Sequence, residues 1–304
     1  MGPEPSTTGL PRAADEELAR HLEGTDDYRI LRRLKPRASA PAGAPSDRIG
    51  VIVDLETTGL DASRDEIIEI GAVRFAYTSA DEIAAITGVF QSFNEPSGAI
   101  PPHITQLTGI DDAMVHGHRI DEDALVRFVE SANVVIAHNA GFDRKFAERA
   151  WPVFRHKPWA CSATEIDWRA HGFGGAKLSY LLTDAGFFHD AHRAVDDCHA
   201  VLELLARPLP DICAPALRVL LARARRRTIR IWAEHSPFEF KAILKSRGYR
   251  WNDGADGSPR CWFVDIDGDR CDDELRFLKR EIYGCDAEIR TQSMTAWERF
   301  SPRM

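Results

Sequence analysis

Two acids set into an apolar run are the first residues whose spacing suggests chemistry. Asp54 and Glu56 stand at i and i+2 in Val-Ile-Val-Asp-Leu-Glu-Thr-Thr-Gly-Leu, residues 51–60. The β-branched residues around them predict a buried strand, opened by Gly50 and closed by Thr57-Thr58-Gly59. Side chains alternate along a strand, so both carboxylates share one face. Two like charges at the end of a buried strand are costly unless a cation lies between them. Hard, oxygen-seeking Mg²⁺ or Mn²⁺ suits such a site. The alternative is a strand end where both acids simply reach water.

Three later features belong beside this pair. His138-Asn139-Ala140-Gly141-Phe142-Asp143 falls where a short apolar strand gives way to a helix, the usual ligand position in open α/β sheets. As a structural acid, Asp143 would gain only from the helix dipole. His192-Arg193-Ala194-Val195-Asp196-Asp197 places a histidine before a helix with an acid five residues on. The turn Thr57-Thr58-Gly59-Leu60 offers amides and hydroxyls that could hold a phosphate or a sugar hydroxyl.

Taken together the three segments resemble the DEDDh (DnaQ-like) 3′→5′ exonuclease family, in which Asp-x-Glu, Asn-x-x-x-Asp and His-x-x-x-x-Asp occur in this order. The match runs over residues 48–207, and the stretch 159–180 also resembles that family's connection between its second and third motifs. The resemblance implies an RNase H-like three-layer α/β/α domain with a mixed sheet, similar to the epsilon-type proofreading subunit of bacterial DNA polymerase III. It also implies two metal ions held by Asp54, Glu56, Asp143 and Asp197, with His192 as general base. Phosphodiester hydrolysis needs an activated water and a neutralised phosphate, which two ions about 3.5–4 Å apart supply. Thr57, Thr58, Gly59 and Leu60 match positions that hold the 3′-terminal nucleotide, Leu60 as an apolar wedge. His103, Thr108 and Asn139 are further candidates for the same groove. Asp196 misses the family spacing and reads as a solvated helix acid.

The elements that must position these residues follow from periodicity. Residues 15–35 predict a helix broken near Gly24, and 36–46 a Pro/Ala-rich linker, with 1–14 disordered. Strands are expected at 67–75, 84–93 and 134–137, and helices at 104–109, 121–131, 141–150, 176–186 and 194–206. Strands followed by covering helices imply an α/β layered fold. Pro208, Pro210 and Pro215 mark a boundary, so 208–226 reads as linker and basic helix. Residues 227–304 then form a small α+β module: strands at 228–233, 260–265 and 287–291, helices at 237–247 and 272–283, and Trp232, Trp251 and Trp262 in its core.

The 304 residues carry a net charge of −8, with 44% hydrophobic and 28% charged residues, an ordinary soluble composition. Charge is uneven. Residues 217–260 hold eleven Lys/Arg against four Asp/Glu, leaving +7 there and −15 elsewhere. This is compatible with phosphate binding at one place, by Arg223, Arg225, Arg226, Arg227, Lys245, Arg247 and Arg250, and equally with a solvated basic face over a Trp-rich core. Six cysteines without a C-x-x-C pair argue against a zinc site or a disulfide framework. With no secretory signal and no apolar span of about 20 residues, a cytoplasmic location without membrane partners is expected. Expected partners are a nucleic acid with a free 3′ end, DNA before RNA, and a DNA polymerase or sliding clamp. The stretch Gln292-Ser293-Met294-Thr295-Ala296-Trp297 only faintly resembles a clamp-binding peptide. Asp265-Ile-Asp-Gly-Asp269 fails as a calcium loop because its Gly is two positions early. Gly172-Phe-Gly-Gly175 is no dinucleotide fingerprint, since no strand leads into it.

Overall fold

A computed structural model describes residues 12–39, 48–254 and 257–303. The disorder expected for 1–14 and the linker expected for 36–46 fall mostly outside these residues. In chain order the elements are α1 (Arg12–Glu23), β1 (Arg32–Arg33), β2 (Arg48–Thr57), β3 (Ile67–Tyr77), β4 (Ile83–Phe93), α2 (Pro102–Thr108), α3 (Asp112–Val115), α4 (Glu122–Glu130), β5 (Val134–Ala137), α5 (Ala140–Ala150), β6 (Trp159–Cys161), α6 (Leu178–Asp184), β7 (Phe187–Phe188), α7 (Ala194–Ala206) and α8 (Ala216–Ala224). The second module adds β8 (Thr228–Ala233), α9 (Lys241–Ser246), β9 (Arg250–Trp251), β10 (Trp262–Asp267), α10 (Cys271–Phe277), which continues as a π-turn over Leu278–Tyr283, and β11 (Thr291–Met294).

The main sheet runs β4-β3-β2-β5-β6. Its first three strands are antiparallel, and β5 and β6 join β2 in parallel. Alternation along β2 divides the core. Ile52 points into a layer with Cys198, Leu202 and Leu205 of α7, Leu181 and Leu182 of α6, and Leu217 and Leu221 of α8. Val51, Val53 and Leu55 point the other way, onto Leu125 and Val129 of α4 and Phe146 and Ala147 of α5. Each fully buried Val, Ile or Leu side chain contributes about 1.5–3 kcal/mol relative to exposure. Helices on both faces of one mixed sheet make this the expected three-layer RNase H-like fold. No described helix is long and apolar enough to cross a membrane.

Two expectations are corrected here. Residues 30–34 are not helical: Arg32 and Arg33 pair in parallel with Phe187 and Phe188. The basic helix expected within 208–226 is α8, whose Leu217, Leu220, Leu221 and Ala224 recur at i, i+3, i+4 and i+7 and enter the same core as Ile52. In the second module, ordered β11-β8-β10-β9, Trp251 lies 51% exposed on the short edge strand, so it is not core.

The chain end ties the two sheets together. Trp159 N of edge strand β6 donates to Ala296 O at 2.7 Å. The wholly buried Arg144 guanidinium donates to the carbonyls of Ala296, Trp297 and Arg299 and to Glu148. Arg299 in turn donates to Ala224 O, Arg226 O and Thr228 Oγ1, and lies 3.0 Å from Glu165 Oε1. The segment 292–297 is therefore built into β11 and this strap, with Met294 buried. It is not a free peptide for a clamp.

The expected phosphate track is largely neutralised within the molecule. Arg223 and Arg226 pair with Asp267, Arg225 with Asp81, Arg247 with Glu274 and Arg250 with Asp265. The sequence count missed this because the matching acids lie on distant segments.

Candidate active site

The site lies at the end of β2, on the face that α7 covers. Asp54 is registered opposite Gly71 of β3, and Glu56 opposite Glu69. A Cβ on Gly71 would stand 2.3 Å from the backbone of Ala194 and Val195. Only glycine therefore lets the first turn of α7 rest on the sheet. Glu69, fully enclosed, accepts from Ala194 N at 3.1 Å, from the Arg193 guanidinium at 3.2 Å and from Gln91 Nε2 at 2.8 Å. Cys198 Sγ packs 3.3 Å from Gly71 O. Held this way, α7 delivers Asp197: one carboxylate oxygen from each of Asp54, Glu56 and Asp197 fits within 4.8 Å of the others. Asp196, its neighbour, is not part of this group.

Asp143 arrives from the opposite helical layer, in the first turn of α5, and is 2% exposed. Its Oδ1 accepts from Leu55 N at 3.1 Å, the amide between the two strand acids. It stands outside the 4.8 Å group, yet after burial its charge is the largest push on Asp54.

Electrostatics make this cluster unstable as four bare charges. Burial, then the Asp197 and Glu69 charges, push Glu56 up to about 8, against the pull of Arg193. Burial, then Asp143, Asp197 and Glu56, hold Asp54 well above the carboxylate range. Burial also raises Asp143, opposed by hydrogen bonds from its own amide and that of Leu55. An all-carboxylate donor set that cannot ionise fully alone fits a hard divalent cation.

The turn after β2 differs from expectation. Thr57 Oγ1 donates to Gly59 O at 2.6 Å, and Thr58 Oγ1 accepts from Glu66 N at 3.0 Å, so both hydroxyls help to fold the turn. A Cβ on Gly59 would meet the Asp65 carboxylate at 2.4 Å. Leu60 is 85% exposed beyond it. His103 on α2 and Asn139 before α5 are also exposed, Asn139 in the left-handed region at φ 85°. Thr108 is corrected: it is buried, donates to Ile104 O and accepts from Ile110 N, and so ends a helix instead of lining a groove. His138 is likewise spent, its Nε2 2.8 Å from Ala176 O and its Nδ1 2.9 Å from Ser162 Oγ.

The histidine at Asp197 is one the sequence reading passed over. His189 Nε2 lies 2.9 Å from Asp197 Oδ1, with both side chains nearly enclosed. His192 is exposed, at φ 66°, with no hydrogen bond to the acids among the described residues. The signal was present as two histidines three apart in one short loop, but only the second has the family spacing.

Known proteins resemble this chain over the part that carries the site. Residues 51–205 match the RNase T family, described as exonuclease. The chain is 30% identical over 169 residues to DNA polymerase III subunit epsilon of Aquifex aeolicus, covering 53% of this chain and 81% of that one. It is 35% identical over 168 residues to the PolC-type DNA polymerase III of Caldanaerobacter subterraneus, covering 53% of this chain and only 12% of that protein. A solved structure of exonuclease X with 5′-overhanging duplex DNA aligns at a TM-score of 0.39 and 23% identity, covering 50% of this chain and 88% of that chain. With the family match spanning half of its length and a mixed sheet folded around acids on three separate segments, this chain belongs to the RNase T (DnaQ-like) exonuclease family.

Proposed function

We propose that the protein removes nucleotides from the 3′ end of DNA by hydrolysing the terminal phosphodiester. The observation that carries this reading is the convergence of Asp54, Glu56 and Asp197, with Asp143 bonded to the strand between the first two. In this reading the four carboxylates hold two divalent ions, Mg²⁺ or Mn²⁺, which when bound would neutralise phosphate charge and acidify the attacking water. His192 accepts the proton of that water, and its exposed position on the loop before α7 leaves it free to turn toward the acids. Leu60, His103 and Asn139 contact the terminal nucleotide, with the Thr57–Gly59 backbone shaping the turn beneath it.

DNA is favoured because the named relatives are DNA polymerase III proteins. Those names also support a second reading, a polymerase-associated subunit. The test is degradation of 5′-labelled single-stranded DNA, duplex DNA and RNA side by side in Mg²⁺ and Mn²⁺. A ladder shortening from the 3′ end of DNA is expected. Asp54→Ala should abolish it with the fold intact, and His192→Ala should slow it about 10²–10⁴-fold with metal still bound. Internal cuts or shortening from the 5′ end would sink the reading, and faster loss of RNA would move the substrate class. Co-purification with a polymerase would favour the subunit role.

A further inference from the structure

The chain ahead of the family match is fastened to the end of the site that carries both loop histidines. Strand β1 lies parallel to β7, and β7 runs directly into the loop with His189 and His192. Arg32 N donates to Gly186 O at 2.9 Å and Leu34 N to Phe188 O at 2.8 Å. The Arg33 guanidinium reaches Asp190 at 2.7 Å and sits 4.9 Å over the Phe188 ring. Arg29 donates to Thr183 O, at the end of α6. Leu34 packs against the cluster that includes Leu181 and Leu182.

The same segment is anchored on its outer side. Glu16 and Glu23 of α1 grip Arg32 at 2.9 and 2.7 Å. Arg37 pairs with Glu203 of α7 at 2.6 Å, and Ser39 bridges to Ile86 of β4. A two-residue strand such as β7 cannot hold its own direction without a partner. Among the described residues, the only strand paired with it comes from outside the family match, at the three positions that precede His189.

We propose that residues 29–34 are a brace that sets the histidine loop, with Arg33 and Leu34 as positioning residues for His189 and His192. The N-terminal extension thereby governs turnover more than metal or substrate binding. This rests on the reading of His192 as proton acceptor. Asp54, Glu56 and Asp143 have no contact with the brace among the described residues, whereas Asp197 meets the loop through His189, so turnover should fall further than metal affinity.

The experiment uses the full chain with Leu34→Pro, which removes the N–H given to Phe188 O, and Arg33→Ala, a milder change that keeps the backbone pairing. Turnover on single-stranded DNA, Mn²⁺ affinity by calorimetry and amide exchange over residues 187–193 are measured on each. Turnover should fall about ten- to hundred-fold, the cost of a small misplacement at a reacting centre. KM should stay within about twofold, the Mn²⁺ Kd should rise by less than turnover falls, and exchange in the loop should quicken while the interior of α7 is unchanged. Folded variants with wild-type turnover and loop exchange overturn the proposal, and so does Mn²⁺ affinity falling in step with turnover. Should the wild-type chain leave DNA intact, it is the proposed activity that fails. Loop exchange then decides the brace alone: faster exchange supports it and unchanged exchange overturns it.

Discussion

Glu56 and Glu69 face each other across the β2–β3 pair, yet they serve opposite ends of the same construction. Glu56 lies with Asp54 and Asp197, whereas Glu69 is enclosed and holds the start of the helix that brings Asp197 in. Sequence distance conceals the relation: Glu69 and Ala194 are 125 residues apart.

Glu69→Ala should therefore loosen the metal site without touching a metal-binding oxygen. It leaves the Ala194 amide without its partner, which costs about 1–3 kcal/mol when buried. It should also weaken Mn²⁺ binding about 10–100-fold, the usual effect of losing a group that orients a ligand. Glu69→Gln keeps an acceptor for that amide and should recover most of the affinity. Titration of folded protein with Mn²⁺ well below Tm checks this. Equal affinities for the wild type and Glu69→Ala would show that α7 holds its place without Glu69.

The acid cluster sets a pH dependence whose sign is fixed. Glu56 titrates at about 8 in the metal-free fold against 4.5 ordinarily, so the native state keeps a proton that the unfolded chain releases between those values. Stability from this group is complete below about 4.5 and is lost as pH rises through about 8. A bound cation must displace that proton, so Mn²⁺ affinity should climb between pH 6 and 8 and level off above. Thermal unfolding should show a larger Mn²⁺-induced rise in Tm at pH 8.5 than at pH 6. A Kd that is flat across pH 6–8 would rule out proton displacement at Glu56.

Much of this site was legible in one dimension. The i,i+2 acids in a β-branched run could share a face in no other regular structure, and the helix over Ala194–Ala206 is bounded as its apolar period predicts. What stayed hidden depends on long-range partners. Asp267 and Asp265 quench arginines that looked like a phosphate track. Thr108 looked available because its hydroxyl partners are backbone groups, which composition does not show. Residues 30–34 misread as helix because apolar spacing alone does not reveal that a strand waits at Phe187–Phe188.

Arg299 offers a test of how the second module is held. Its side chain and that of Glu165 are 6% and 5% exposed and 3.0 Å apart, and burial raises Glu165 while Arg299 pulls it down. Glu165 Oε2 also accepts from Cys161 N at 2.8 Å, so the carboxylate cannot swing out to water without freeing a backbone amide of edge strand β6. Arg299→Ala would leave that charge enclosed and strip the donors from Ala224 O and Arg226 O. Breaking one side of a buried pair costs about 3–5 kcal/mol, far more than the pair itself contributes. The double change Arg299→Met with Glu165→Gln should recover a good part of the loss, because no unpaired charge remains. Urea unfolding followed by tryptophan fluorescence measures both. If Arg299→Ala costs less than about 1 kcal/mol, the strap over residues 295–303 is not what fastens the module to the exonuclease sheet.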